Sequence, residues 1–275
     1  MKLTNTKIYV SGNVIEVFNY AKILSYDYRN PATQRRGTDT LTEEEMQKKK
    51  TESRQRSMLR ARSRFQRLVY ANAGRWEIAR GITYLPVFIT FTFKENLTDI
   101  REANKIFTLF IKRMNFNIAN SRTSKLKYLT VLEFQKRGAV HYHSIFFNLP
   151  AGVIEHERIT RRIAKIWGNG FIDIESKLDI DGMAIYLTKY MIKGFEDTRL
   201  DGKKRYFDSR GLKNPVSILD RRMTDKLVAN LSPQDMVYEK TFESEFMGTT
   251  TYRKYKVPED HYALLNLKAL ARSIL

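Results

Sequence analysis

The chain has 275 residues and sets 49 lysines and arginines against 30 acids, a formal charge of +19 with pI near 9.9. Such an excess calls for an anionic partner, and the absence of any run of eighteen apolar residues, or of an apolar signal core after Met1-Lys2-Leu3-Thr4-Asn5-Thr6, turns the expectation from membranes to nucleic acid. The lack of cysteine excludes disulfides, Cys-ligated zinc and thiol nucleophiles and fits a reducing cytoplasm, while 42% apolar residues suffice for one good core with extensions or for two small domains.

Ile8, Val10, Val14 and Val17 alternate about Ser11-Gly12-Asn13, which predicts an N-terminal hairpin over residues 7–19. Residues 30–39 read as a linker from their turn residues and lack of period. Thr42-Glu43-Glu44-Glu45 is a capping box, with Thr42 as N-cap and Glu45 at N3, so a helix should run from there to about Asn72. Its cations Lys48, Lys49, Lys50, Arg54, Arg56, Arg60, Arg62, Arg64 and Arg67 face a single acid, Glu52. Its apolar residues, Met58, Leu59, Phe65, Leu68 and Val69, gather towards the C-terminal end, which should dock while the rest stays wet. Like charges on one helix repel unless an anion is supplied, so this helix is a candidate phosphate-contacting element; the alternative is a solvated face.

From Tyr84 onward the pattern is α+β. Strands are predicted at 87–93, 128–134, 140–149 and 171–174, and helices at 99–117, 157–167 and 180–193, with Gly168-Asn169-Gly170 as a turn. The order β-α-β-β-α-β-α predicts a small antiparallel sheet with helices on one face, the ferredoxin-like (RRM-like) arrangement. Beyond it Lys203, Lys204, Arg205 and Arg210 form a further basic segment and are candidate nucleic-acid contacts. Residues 220–275 show no clear period. The expected division is therefore 1–80 for the hairpin and basic helix, 81–215 for the α+β domain and 216–275 for an extension. There is no Gly-x-x-x-x-Gly-Lys-Ser/Thr phosphate loop.

Within the α+β segment lies Glu133-Phe134-Gln135-Lys136-Arg137-Gly138-Ala139-Val140-His141-Tyr142-His143, which holds two of the four histidines in the chain. On a strand, residues two apart face one side, so the two imidazoles should point together. Glu133 and Gln135 obey the same rule on the partner strand, and antiparallel pairing should bring an oxygen ligand beside the imidazoles. That donor set suits a divalent cation, Mg²⁺ or Mn²⁺, with positions open to a phosphate oxygen. Some forty residues on, Tyr186 and Tyr190 stand at i, i+4 on one helix face, each with a lysine three residues later, Lys189 and Lys193. A tyrosine in line with a phosphodiester could attack phosphorus, and a neighbouring ammonium would stabilise its phenolate. Counting nearby cations places Tyr190 slightly ahead of Tyr186 for the first cut.

The run from Phe88 to Asp99, the Glu-x-Gln-x-x-Gly-x-x-His-x-His block, Tyr-x-x-Lys-Tyr and Ser209-Arg210-Gly211-Leu212 together resemble the HUH-endonuclease superfamily. More closely they are similar to rolling-circle replication initiators of plasmids and small single-stranded-DNA phages, over roughly residues 58 to 215. The resemblance implies an enzyme that nicks and rejoins one DNA strand at an origin. It implies His141 and His143 as metal ligands, with Gln135 as the third and Glu133 as its alternative. Tyr186 and Tyr190 would be the nucleophiles, assisted by Lys189 and Lys193. Its partners would be single-stranded or hairpin origin DNA and a host polymerase, in the cytoplasm of a prokaryotic cell. The missing phosphate loop implies a separate host helicase.

Two other readings use the same residues. A mobilisation relaxase or single-strand transposase would share the chemistry, but Tyr9, the N-terminal tyrosine such a relaxase would use, sits in a strand-like segment with no lysine at i+3. A binder without catalysis would use exposed aromatics on a sheet to stack single strands and would need no metal.

Overall fold

Thr42 and Glu45 close the capping box in the computed structural model, which describes residues 3–25, 42–80, 82–150, 156–175, 180–200 and 206–258. The Thr42 N–H donates to Glu45 Oε2 at 3.0 Å and the Glu45 N–H to Thr42 Oγ1 at 3.3 Å. In chain order the elements begin β1 (Leu3–Ser11), β2 (Val14–Ser25), α1 (Glu43–Asn72), β3 (Glu77–Ala79), β4 (Ile82–Thr83) and β5 (Val87–Thr92). They continue with α2 (Ile100–Asn117), β6 (Tyr128–Phe134), β7 (Val140–Phe146), α3 (His156–Trp167), β8 (Ile172–Glu175) and α4 (Ile180–Glu196). The last are β9 (Tyr206–Asp208), β10 (Val216–Ile218), α5 (Arg221–Ala229), β11 (Met236–Ser244) and β12 (Gly248–Lys256). Among the described residues, no helix is long and apolar enough to cross a membrane.

The chain divides into two compact units, Met58–Lys213 and Met1–Ser57 with Asn214–Leu275. The hairpin at one end of the chain and the segment after 216, separate in the sequence-based division, thus share a unit.

In the unit Met58–Lys213 the strands are ordered β8-β5-β7-β6-β9, every neighbour antiparallel. Period two sends Ile89 and Phe91 of β5, Leu132 of β6, and Val140, Tyr142 and Phe146 of β7 into one core, with Phe107, Phe110 and Met114 of α2 and Ile163 and Trp167 of α3. Asp99 caps α2 by accepting the Arg101 N–H at 2.8 Å. The opposite face carries Phe88, Thr90, Glu133, His141 and His143, and α4 lies against it: Tyr186 meets Phe88 at 5.1 Å between ring centroids, and Tyr190 meets His143 at 3.6 Å. The expectation of helices on one face is therefore corrected. All seven residues of β7 are buried, and a strand buried on both sides needs cover on both, α2 and α3 on one face and α4 on the other.

The turn after α3 binds tightly to β5. The Trp167 indole N–H donates to the Thr92 carbonyl at 3.0 Å, and the Lys94 N–H to that of Asn169 at 2.8 Å. A Cβ on Gly170 would stand 2.3 Å from the Thr92 carbonyl oxygen, so only glycine lets the backbones come this close.

In the other unit the strands are ordered β10-β1-β2-β12-β11, again antiparallel throughout. The hairpin at Ser11-Gly12-Asn13 is present but longer than the pattern predicts. Ile8, Val10, Ile15, Val17, Ile218, Leu227, Tyr255 and Val257 form the core of this unit. The predicted linker, 30–39, lies outside the described residues.

Candidate active site

Cross-strand register brings the histidines and their neighbours together. On β7, His141 pairs with Thr92 of β5 and Glu133 of β6, and His143 with Thr90 and Val131. His141 is 5% exposed and His143 3%. The Glu133 carboxylate reaches past its direct partner to His143, Oε2 to Nε2 at 2.7 Å, while Thr90 Oγ1 lies 3.1 Å from His143 Nδ1. With Glu133 ionised, Nε2 carries the proton and donates, and Nδ1 accepts from the Thr90 hydroxyl. Both nitrogens of this ring are thereby held.

His141 is in a different state. Its Nε2 is buried and has no hydrogen-bond partner. Burial first, then the nearby His143 and Arg137 acting against Glu133, push this imidazole down to about 4, so it is neutral near pH 7. It lines an open cleft of about 770 Å³ with Gln135, Arg137, Lys94, Thr92 and Phe171. Gln135 Oε1 accepts from Arg137 Nε at 3.1 Å, and Arg137 also donates to the Phe93 carbonyl at 2.9 Å.

The donor types suit a divalent cation: a neutral, partnerless imidazole at His141, with a second imidazole, a carboxylate and an amide on the same hairpin. Among the described residues, however, no three His, Cys, Asp or Glu groups are gathered to hold a metal ion. Glu133 and His143 satisfy each other, so a cation would compete with their hydrogen bond for the His143 nitrogen.

Helix α4 supplies the phenols. The Tyr190 ring lies face to face on His143, the planes 17° apart. The Tyr190 hydroxyl donates to the Tyr186 hydroxyl at 2.7 Å, and the two rings meet edge on at 5.0 Å. Burial, then the hydrogen bond to Tyr186, raise the Tyr190 phenol above its ordinary value, with Glu133 and Glu175 adding to the effect. Both tyrosines, both histidines and Glu133 therefore form one contact group, and Gln135 adjoins it across the cleft.

The cations are placed differently. Lys189 is exposed on α4; the Lys193 side chain and all of Lys203, Lys204 and Arg205 lie outside the described residues. Arg210 is exposed, and its carbonyl accepts from Lys127 Nζ at 2.7 Å. On α1, Lys48, Lys49, Lys50, Arg56, Arg60 and Arg64 are exposed, while Arg54, Arg62 and Arg67 are half-buried. Arg56 pairs with Glu52 at 3.8 Å. Phe65, Leu68 and Val69 dock as the pattern predicts, but Leu59 stays exposed.

Sequence reasoning missed Thr90, Phe88 and Arg137. The signal for the first two was present in β5, where Phe88-Thr90-Thr92 alternates with the core residues Ile89-Phe91-Phe93. Arg137 was read only as part of the hairpin turn.

Comparison with known proteins agrees with this segment. No curated protein and no solved structure matches the chain. Residues 86–195, which run from the start of β5 almost to the end of α4 and so hold the histidines and both tyrosines, match the family model described as Replication-associated protein ORF2, and that match supports a replication initiator.

Proposed function

We propose that this protein nicks one strand of an origin through a covalent 5′-phosphotyrosine and later rejoins it, which would start and end rolling-circle replication. The observation that carries the proposal is the stacking of Tyr190 on His143 with the Tyr186 hydroxyl in hydrogen-bond contact, which sets two phenols against the histidine pair. The strand order β8-β5-β7-β6, with α2 and α3 as the two crossovers, supports a ferredoxin-like core extended by β9.

A phenol oxygen attacks phosphorus while the bond from phosphorus to the 3′ oxygen breaks. The phenol loses its proton and the departing 3′ oxygen gains one; the phosphate stays on tyrosine with the downstream 5′ end. Rejoining is the reverse and needs no ATP, because the phosphoester energy is kept. The hydrogen bond between the phenols suggests the order of use. Tyr190 gives its proton to that bond and is held in the neutral form, whereas negative charge on the Tyr186 oxygen would be supported by the Tyr190 donor. We therefore place Tyr186 first and Tyr190 second, the reverse of the order drawn from lysine count alone.

His141 and His143, with Gln135 or Glu133, would hold Mg²⁺ or Mn²⁺, which when bound supplies charge to polarise the phosphodiester. Thr90 and Glu133 orient His143, and exposed Lys189 adds positive potential near the phenols. The exposed cations of α1, with Arg210 and the Lys203–Arg205 segment, would follow the DNA backbone. Removing Arg56, Arg60 and Arg64 together should flatten the slope of log affinity against log salt by roughly two units. Unwinding and synthesis would fall to a host helicase and polymerase.

The test is a covalent adduct. The protein is incubated with Mn²⁺ and a 3′-labelled library of random single-stranded oligonucleotides, and a labelled protein band is sought on a denaturing gel. The band should vanish in the Tyr186→Phe/Tyr190→Phe double variant and in His141→Ala/His143→Ala. An adduct that survives the double tyrosine variant removes both phenols from the mechanism.

A further inference from the structure

The sheet of the terminal unit has a second face, and its composition is unlike a packing surface. Opposite its core, period two places Tyr9 on β1, Phe18 and Tyr20 on β2, Tyr252 on β12, and Tyr238 and Phe242 on β11. These rings make a connected row across four strands. Tyr9 meets Phe18 at 6.1 Å, Phe18 meets Tyr252 at 4.8 Å, and Tyr252 meets Tyr238 at 5.9 Å, with Tyr20 beside Phe18 at 6.4 Å. The row grows more open towards β11, where Tyr238 is 49% and Phe242 40% exposed. Lysines are set among the rings: Lys7 lies 4.8 Å from the Tyr9 centroid, Lys254 is opposite Tyr238, and Lys240 opposite Tyr252. One carboxylate shares the face, Glu16, which is opposite Lys254 and accepts from the Tyr252 hydroxyl at 3.1 Å.

From this arrangement we propose that the aromatic face of the β1-β2-β12-β11 sheet is a binding platform for single-stranded DNA, separate from the site on β7 and α4. Bases present flat faces that stack on exposed aromatic rings whatever their sequence, and their phosphates require cations at intervals between the rings. A protein partner would be served by apolar rings but would not call for three lysines set among them. DNA is chosen as the occupant because the chain matches a replication-associated family, and the inference rests on that reading to this extent.

The experiment uses the full chain, a fluorescent oligo(dT) of about twenty nucleotides and anisotropy titrations near 0.15 M salt. Tyr238→Ala/Phe242→Ala removes the two most exposed rings; Tyr252→Leu keeps apolar volume at the half-buried position but loses the aromatic plane. Each ring lost should weaken binding roughly tenfold, with circular dichroism and thermal melting unchanged. Other surfaces of so basic a protein also hold DNA. Oligonucleotides bearing 5-iododeoxyuridine are therefore photo-crosslinked and the attached peptides sequenced, which should give residues of β11 and β12. Affinities within twofold of the parent for both variants, with crosslinks elsewhere, overturn the platform. Equal or tighter binding of oligo(U) overturns the choice of DNA, and equal loss of duplex binding overturns stacking. The result is separable from the nicking proposal, because His141→Ala/His143→Ala should bind and crosslink at β11 as the parent does while forming no adduct.

Discussion

The two five-stranded sheets of this protein show how cover on a sheet decides what its side chains can do. The sheet of β7 is covered on both faces, and its central strand buries every residue, two histidines included. The sheet of β12 and β11 has an apolar core on one face and a row of aromatic rings and lysines on the other. In the first sheet, desolvation sets the chemistry: it keeps His141 neutral and Tyr190 protonated. In the second, the rings remain within reach of a partner. One sheet is suited to shifting proton equilibria, the other to contact.

Removing a side chain from the doubly covered sheet's core should break this contrast most severely. Trp167 is fully buried, packs on Phe91, Phe93 and Phe110 at 5.1–5.3 Å between centroids, and ties its indole N–H to the Thr92 carbonyl. Trp167→Ala should cost about 3–5 kcal/mol, from the cavity and the abandoned carbonyl. Urea denaturation followed by far-ultraviolet circular dichroism measures it. A cost below about 1 kcal/mol would show that α3 and its turn are not anchored to β5 as described.

The next effect is smaller and depends on pH. His141 ionises near 6.5 in an unfolded chain but only at about 4 in the fold. A depressed value means that the unfolded state binds the proton first. Stability from this group is thus complete above about pH 6.5 and is lost as pH falls towards 4, by on the order of 3 kcal/mol. Urea midpoints of the parent and His141→Gln, both in chelator, should converge between pH 7 and pH 4 as the parent loses this increment. Parallel curves would show that burial of His141 does not govern its ionisation.

The legibility of each sheet followed from its pattern of cover. β5, β6 and β7 carry apolar runs, and the helices between them carry capping residues and one apolar stripe each, so local signals sufficed. The side of the sheet that α4 occupies was not legible, because the spacing of Tyr186 and Tyr190 shows only that they share a helix face. The reach of Glu133 to His143, rather than to its direct partner His141, was hidden too, since register does not determine a side-chain rotamer. β11 and β12 escaped notice for a different reason. Met-Val-Tyr-Glu-Lys-Thr-Phe-Glu-Ser and Gly-Thr-Thr-Thr-Tyr-Arg-Lys-Tyr-Lys alternate between polar and aromatic residues, so no apolar face announces a strand. Their place depends on β2, more than two hundred residues away in the chain.

The smallest expected effect sharpens the comparison from the open side. Tyr238 is on β11, a strand at the edge of its sheet, and 49% of its surface is exposed. Its ring contact within the row is the one to Tyr252 at 5.9 Å, and a cross-strand aromatic pair contributes about 0.2–1 kcal/mol. Tyr238→Ala should therefore lower stability by no more than about 1 kcal/mol, a fraction of the cost at Trp167, although both substitutions delete a large aromatic side chain. The difference arises because alanine at 238 leaves solvent where the ring was, whereas alanine at 167 leaves a void between α3 and β5. Denaturation of the two variants side by side under one set of conditions measures it. A Tyr238→Ala cost approaching that of Trp167→Ala would mean that the aromatic face is itself packed against another part of the protein. The contrast between a covered sheet and an open one would then be lost, and DNA would have no access to the rings.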